Sequence, residues 1–399
     1  MRSKNHNWSR REFLRAAGVA GLGSIVSPVD RLAKSSNEPA GMPSRPLGRT
    51  GVRVPILGLG GSLDLEQLIL RQAAKWGVTY WDTASSYMGG NSESRIGKYL
   101  DKYPEDRKKL FIVTKSHAWT VSGLTRDLNK SLERMKTDYV DLFFVHSVRS
   151  VDEMDSNRKA WSERTKAAGK IRFFGFSTHS NMAECVLGAA NLGWIDSIMM
   201  SYNFRLMHSD GMERAVDACA KAGIGLIAMK TQGGGSVRTS SETELELAGR
   251  FLKKGFTDAQ AKLKAVWENP HIASICTEMP NITILMSNVA VAMDRTELSS
   301  QDMKLLQIYT QETRSGYCAG CTDLCESAMG GAVPIGDVMR YLMYSRSYGD
   351  RDRAARRFHR IPERIRYEMA KLDYSLAEQK CPQNIAIGKL MREAVHELS

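Results

Sequence analysis

Eight short apolar runs recur along the chain: residues 54–60 (VPILGLG), 78–83 (VTYWDT), 110–115 (LFIVTK), 139–146 (YVDLFFVH), 171–177 (IRFFGFS), 197–203 (SIMMSYN), 224–230 (IGLIAMK) and 272–277 (IASICT). Each is the length of a strand, rich in β-branched and aromatic residues, and apolar on both faces, as a buried parallel strand must be. Between them lie stretches of helical periodicity, such as 64–77, 94–103, 125–135, 212–223 and the long region from 243 to 256. Strict alternation of this kind predicts an α/β fold, and eight repeats favour a closed (β/α)8 barrel over an open sheet. The glycine-rich stretches at 58–61, 89–91 and 231–235 fall where loops cross the predicted barrel mouth.

Three successive runs end in titratable residues: Asp82, with Tyr87 shortly after it, then Lys115, then His146. Parallel strands that each end this way deliver their side chains to one face of a barrel, the face where such folds carry their sites. The chemistry of the four is coherent. A tyrosine can donate a proton to a carbonyl oxygen receiving a hydride, and a neighbouring ammonium lowers its pKa from about 10. Asp82 can anchor that ammonium, and His146 can orient the substrate oxygen.

Asp-x4-Tyr after the second run, Thr-Lys in the third and Val-His in the fourth resemble the tetrad of the aldo-keto reductases. The LGRTGVRVPILGLGG opening, the SESRIGKYL stretch and the GFSTH run carry the same resemblance, which covers roughly residues 45 to 292. It implies a TIM barrel that interconverts a carbonyl and an alcohol, with a sugar-like substrate and NADP or NAD across the mouth. It also implies nucleotide contacts from Ser177, Asn203, Lys230, Gly233, Gly234, Asn281 and Asn288. Two positions depart from the family pattern. Met199 stands where a glutamine is usual, and Glu278-Met279-Pro280-Asn281 replaces Gly-Met-Ser-Asn. A carboxylate at Glu278 opposes a 2′-phosphate and favours NAD or another nucleotide. A second reading, from another class, is a nucleotide-binding redox sensor or electron-transfer module without turnover.

Charge and cysteine add two features beyond the barrel. The net charge of +12 is concentrated at residues 1–45 and 340–371, leaving the barrel near neutral and no nucleic-acid platform. Arg10-Arg11-Glu12-Phe13-Leu14 precedes a glycine-rich apolar run too short for a comfortable transmembrane span. It matches a twin-arginine signal, so residues 1–45 are expected to be signal and linker, engaging the twin-arginine export machinery and directing a folded cargo to the periplasm or cell envelope. The barrel is expected over 46–295 and a mostly helical extension over 296–399.

Within that extension Cys318, Cys321 and Cys325 lie in YCAGCTDLC, and Cys381 in KCPQNIAIGKL. Closely spaced thiolates suit a soft metal centre. The Cys-Pro followed by an apolar I-x-I run resembles the last ligand of ferredoxin motifs, and the whole segment resembles the ferredoxin-like extension of some aldo-keto reductases, which implies one [4Fe–4S] cluster. Zinc on four thiolates and a disulfide pair remain open, because the x2-x3 spacing departs from the usual x2-x2. Cys185, Cys219 and Cys276 read as core residues. The basic 340–371 segment reads as a solvated helical face or as a docking surface for an acidic redox partner.

Overall fold

The computed structural model describes residues 41–239 and 241–399; the twin-arginine motif lies outside them. Among the described residues there are ten strands: β1 Ser44–Pro46, β2 Arg53–Pro55, β3 Leu57–Gly60, β4 Tyr80–Asp82, β5 Phe111–Ser116, β6 Val140–Val145, β7 Ile171–Thr178, β8 Ser197–Ser201, β9 Gly225–Met229 and β10 Ile272–Glu278. The last eight pair in parallel and close into a barrel, β10 against β3. All eight apolar runs contribute one barrel strand each.

The helices on the outside of the barrel are α1 Gln67–Lys75, α2 Asn91–Lys102, α3 Val121–Met135, α4 Ser156–Ala167, α5 Met182–Ala189, α6 Asp210–Lys221, the pair α7 Glu242–Lys253 and α8 Asp258–Trp267, and α9 Ile282–Met293. Their starts follow local chemistry. Thr120 and Asp155 cap α3 and α4, and a Thr257–Gln260 capping box starts α8.

Pleat parity decides what faces the barrel axis. Tyr80, Phe111, Val113, Leu142 and Phe144 form the interior cluster, while Trp81, Ile112, Phe143 and Val145 pack outward under the helices. Asp82, Lys115 and His146 continue the inward rows by two residues and so reach the C-terminal mouth. The opposite end is stoppered by the β1–β2 hairpin, whose region sends Leu47 and Val54 into the interior cluster. The hairpin is too short and polar to stand out in the sequence.

Past the barrel come α10 Ser300–Glu312, α11 Thr322–Ala328, α12 Ile335–Arg346, α13 Arg351–Phe358, α14 Glu363–Met369, α15 Ser375–Lys380 and α16 Ile387–Leu398. Those from α11 onward enclose a second core around Val338, Leu342, Phe358 and Met391. This unit sits across the barrel mouth. Arg149 reaches Glu326 and Asp337 at 3.1 and 2.9 Å, Asn181 donates to Asp323 at 2.7 Å, and Asn203 donates to the Tyr317 hydroxyl at 3.0 Å. Among the described residues no helix is long and apolar enough to cross a membrane.

The wall beside Lys115 is held by a buried carboxylate. Glu93, fully buried on α2, accepts from the Thr114 hydroxyl at 2.7 Å and from Arg134 at 3.0 Å. Removing one partner of such a pair leaves polar groups uncompensated, so Glu93→Ala should lower the unfolding free energy by about 3 kcal/mol. Chemical denaturation checks this, and a loss below about 1 kcal/mol contradicts it.

Candidate active site

Lys115 is the centre of the mouth. Its ammonium is only 1% exposed, donates to both Asp82 carboxylate oxygens at 2.5 Å, and also donates to the Thr83 carbonyl at 2.8 Å. The same nitrogen lies 5.0 Å from the centre of the Tyr87 ring, and the His146 ring meets Tyr87 edge-on at 5.6 Å. The structure thus brings Asp82, Tyr87, Lys115 and His146 together.

Two of these residues are followed by strained backbone. Met88 and Ser147 hold φ of 50° and 64°, in the left-handed region that side chains other than glycine's seldom adopt. Lys230, at the end of β9, does the same with φ 56°. All three lie where a strand or its following turn meets the cavity.

Burial dominates the electrostatics. It opposes the Lys115 charge, but Asp82 raises the lysine above its ordinary value and keeps it an ammonium. Burial pushes the Tyr87 phenol up to about 12, although Lys115 pulls it down. The sequence-based expectation of a net lowered tyrosine is therefore corrected: the ammonium acts in the expected direction, and desolvation exceeds it. Burial drives His146 well below its ordinary value, so its ring is neutral, and its Nδ1 has no hydrogen-bond partner among the described residues. The His117 ring stacks on it at 3.9 Å.

Asp82, Tyr87, His117 and His146 line a cavity of about 580 Å3, within the range of small-molecule sites, with Lys115 buried behind them. Met199 and Met229 add apolar surface, and Cys276, part of the buried interior cluster as expected, also touches the lining beside Asp82. Of the residues expected to hold a nucleotide, only Lys230 lines the cavity. Ser177 lies beneath it, its hydroxyl accepting from the Ser147 amide at 3.1 Å. Asn203 spends its amide on the Lys230 carbonyl and Tyr317. Gly233 and Gly234 lie directly against Phe204 and against Ser347 and Tyr348, so the glycine loop is covered by protein. Asn281 caps α9, and Asn288 is buried on that helix.

Glu278 is not a free carboxylate either. Arg353 of the extension pairs with it at 3.0 Å and donates to Ser62 at 2.9 Å, while Ser62 also contacts Glu278. The repulsion expected toward a 2′-phosphate is thereby offset. The 340–371 segment likewise turns much of its charge inward: Arg340 pairs with Asp337 at 2.5 Å and Arg346 with Glu393 and Glu397 at 2.8 Å. Only part of it is available as a docking face. These inward arginines were missed in the sequence, where a charge run gives no sign of which way it points.

Cys318, Cys321, Cys325 and Cys381 line one small pocket with Ile335, Met339 and Ile385, and all seven cysteines are free. Among the described residues no three or more Cys, His, Asp or Glu side chains gather around a single ion-sized point.

The His146 shift carries a sign. A folded imidazole held below the unfolded value of 6.5 binds fewer protons than the unfolded chain as pH falls below that value. Its stabilising contribution is full above 6.5 and is lost on acidification, by up to about 1.4 kcal/mol per pH unit. Denaturation midpoints measured across this range should fall less steeply with acid in His146→Asn than in the wild type; equal slopes contradict the assignment.

The Aldo/keto reductase family profile matches residues 62–281. The chain is 25% identical over 290 residues to L-galactose dehydrogenase of Arabidopsis thaliana, covering 65% of this chain and 90% of that one. It is 27% identical over 306 residues to the uncharacterized oxidoreductase YqkF of Bacillus subtilis, covering 68% and 97%. Among solved structures it resembles the thermostable aldo-keto reductase Tm1743, crystallised with the inhibitor epalrestat, at a TM-score of 0.56 and 27% identity, covering 67% and 99%. With the barrel and the clustered tetrad, these matches establish that the chain is an oxidoreductase belonging to the aldo/keto reductase family.

Proposed function

We propose that the protein interconverts a carbonyl and an alcohol, with Tyr87 as proton donor and acceptor, Lys115 as its cation, Asp82 as the anchor of Lys115 and His146 as the group that orients the substrate oxygen. The observation that carries this reading is the buried Lys115 ammonium, fixed by Asp82 and facing the Tyr87 ring at 5.0 Å.

Nicotinamide use is general for the family. The cavity has room for a nicotinamide ring, and Met199, Met229 and Lys230 would flank it. When bound, that ring supplies or accepts the hydride. The chain's own residues manage the proton. Tyr87 is protonated at neutral pH and therefore ready to donate as negative charge grows on the carbonyl oxygen. The phenolate left behind lies beside an ammonium that cannot move, since Asp82 and the Thr83 carbonyl hold all its donors' positions. The neutral His146 ring can offer one N–H to the same oxygen without adding charge. The reverse reaction uses the same groups in the opposite order.

The reading extends to one iron–sulfur cluster on Cys318, Cys321, Cys325 and Cys381. Four thiols around one apolar pocket are a fitting donor set. Such a centre would supply single-electron transfer. A narrow cavity supports coupling to the barrel: it shares Cys318, Ala319 and Met339 with the cysteine pocket, and His179, Lys230 and Arg340 with the main cavity. Export to the cell envelope belongs to the same proposal, supported by Arg10-Arg11 and the apolar run that follows.

Tyr87→Phe should reduce kcat by about a thousandfold while nucleotide affinity changes little. Steady-state carbonyl reduction with added nicotinamide cofactor, paired with direct nucleotide titration, checks both halves. A fall smaller than about tenfold refutes the role of Tyr87. Anaerobically purified protein should contain iron and inorganic sulfide in equal amounts; zinc in their place refutes the cluster.

A further inference from the structure

One wall of the main cavity comes from the extension and not from the barrel. Arg340 and Tyr344 project from α12, Arg353 and Arg357 from α13, and Lys230 joins them from the end of β9. The Arg353 guanidinium lies 4.4 Å from the centre of the Tyr344 ring, and the Lys230 ammonium 5.6 Å from it. Tyr344 is thus enclosed by cations.

Two of those cations are already paired, Arg340 with Asp337 and Arg353 with Glu278. Lys230 and Arg357 are different. Among the described residues neither has a carboxylate within ion-pairing distance, although both are half-buried and line the cavity. The side-chain partners of the Lys230 ammonium are His179 Nδ1 at 3.3 Å and the Tyr344 phenol, neither of them a carboxylate. Desolvated cations without counter-ions are costly, and they persist where a ligand completes them. Lys230 also carries strained backbone, the second mark of a position kept for binding.

Tyr344 reports the same imbalance. Burial pushes its phenol up, yet Lys230, Arg340, Arg353 and Arg357 together bring it down to about 8. The wall attracts negative charge and holds too little of its own. Arg353 and Arg357 line the same cavity as Tyr87, which places the wall within reach of a molecule whose carbonyl meets the tetrad.

We propose that this wall is an anion subsite, and that the carbonyl substrate carries a carboxylate or phosphate held by Lys230 and Arg357. The proposal rests on Tyr87 marking the reacting end. The guanidinium suits either group through paired N–H donors, and Lys230 adds a point charge. The subsite exists only because the extension covers the mouth, so substrate charge is selected by a part of the chain beyond the family's matched segment of 62–281.

Calorimetric titration of the intact protein with D-glucuronate, inorganic phosphate, D-glucose and oxidised NADP tests this. Glucuronate should bind about tenfold or more tighter than glucose, and phosphate should compete with it. Lys230→Met and Arg357→Leu should each weaken glucuronate by about tenfold, and Arg357→Lys should recover part of that loss. Thermal melts of the variants confirm folding. Equal affinity for glucuronate and glucose, or variants with unchanged glucuronate affinity, overturns the proposal. If oxidised NADP loses as much affinity as glucuronate in the variants, the wall serves the dinucleotide's phosphates and the proposal also fails. Anion binding lost in the variants alongside an absence of any carbonyl reduction supports the subsite and removes only the catalytic reading.

Discussion

The site depends on one buried ion pair, Lys115 with Asp82. An ammonium and a carboxylate withdrawn from water recover their desolvation only through close contact and complete hydrogen bonding, and apolar residues of similar size would stabilise a barrel at least as well. The contact here is close, and the Thr83 carbonyl takes a further donor. A pair of this kind is a weak stabiliser but a strong positioning device. It fixes a positive charge beside Tyr87 that solvent cannot screen, and it ties the ends of β4 and β5 at the mouth. The pleat makes the pair possible. Tyr80 and Asp82 share one face, as do Val113 and Lys115, and a one-residue slip would send both charges under the helices.

The extension changes what this charge acts on. By spanning the mouth it converts an open groove into a cavity with two electrostatically different walls. The barrel wall carries a neutral histidine, a protonated tyrosine and a compensated ion pair. The extension wall carries arginines, only some of which have partners. Arg149, reaching Glu326 and Asp337, and Arg353, reaching Glu278, fasten the two units together with the same type of side chain that lines the cavity. Cross-mouth fastening uses the paired Arg149 and Arg353, which leaves Lys230 and Arg357 as the cavity's cations without carboxylate partners among the described residues.

Much of this was legible in the sequence. The eight strands were readable because parallel strands buried on both faces must be apolar throughout, and the tetrad because titratable residues recur at the ends of such runs. The nucleotide contacts were less secure. Asn203, Gly233 and Gly234 occupy the expected sequence positions, but Tyr317 and the Ser347–Tyr348 turn occupy the space beside them. Those contacts join residues more than a hundred positions apart, and no local pattern encodes them. The direction of Arg340, Arg353 and Arg357 was hidden for the same reason. A helix rich in arginine looks alike whether it faces solvent or a cavity, and only the partner surface decides.

Two phenols in this cavity show how the division between the walls works. Tyr87 and Tyr344 share a chemical type, and burial raises both. Tyr87 has one dominant cation near it, and that cation is largely neutralised by Asp82, so desolvation prevails and the phenol is pushed up to about 12. Tyr344 faces four cations with too few carboxylates between them, so charge prevails and the phenol falls to about 8. The first stays loaded with the proton that carbonyl reduction requires. The second gives up its proton more readily than Tyr87, and a bound carboxylate or phosphate beside it would push its phenol back up. Counter-ion balance, more than burial, thus separates a proton-handling wall from an anion-binding one within a single cavity.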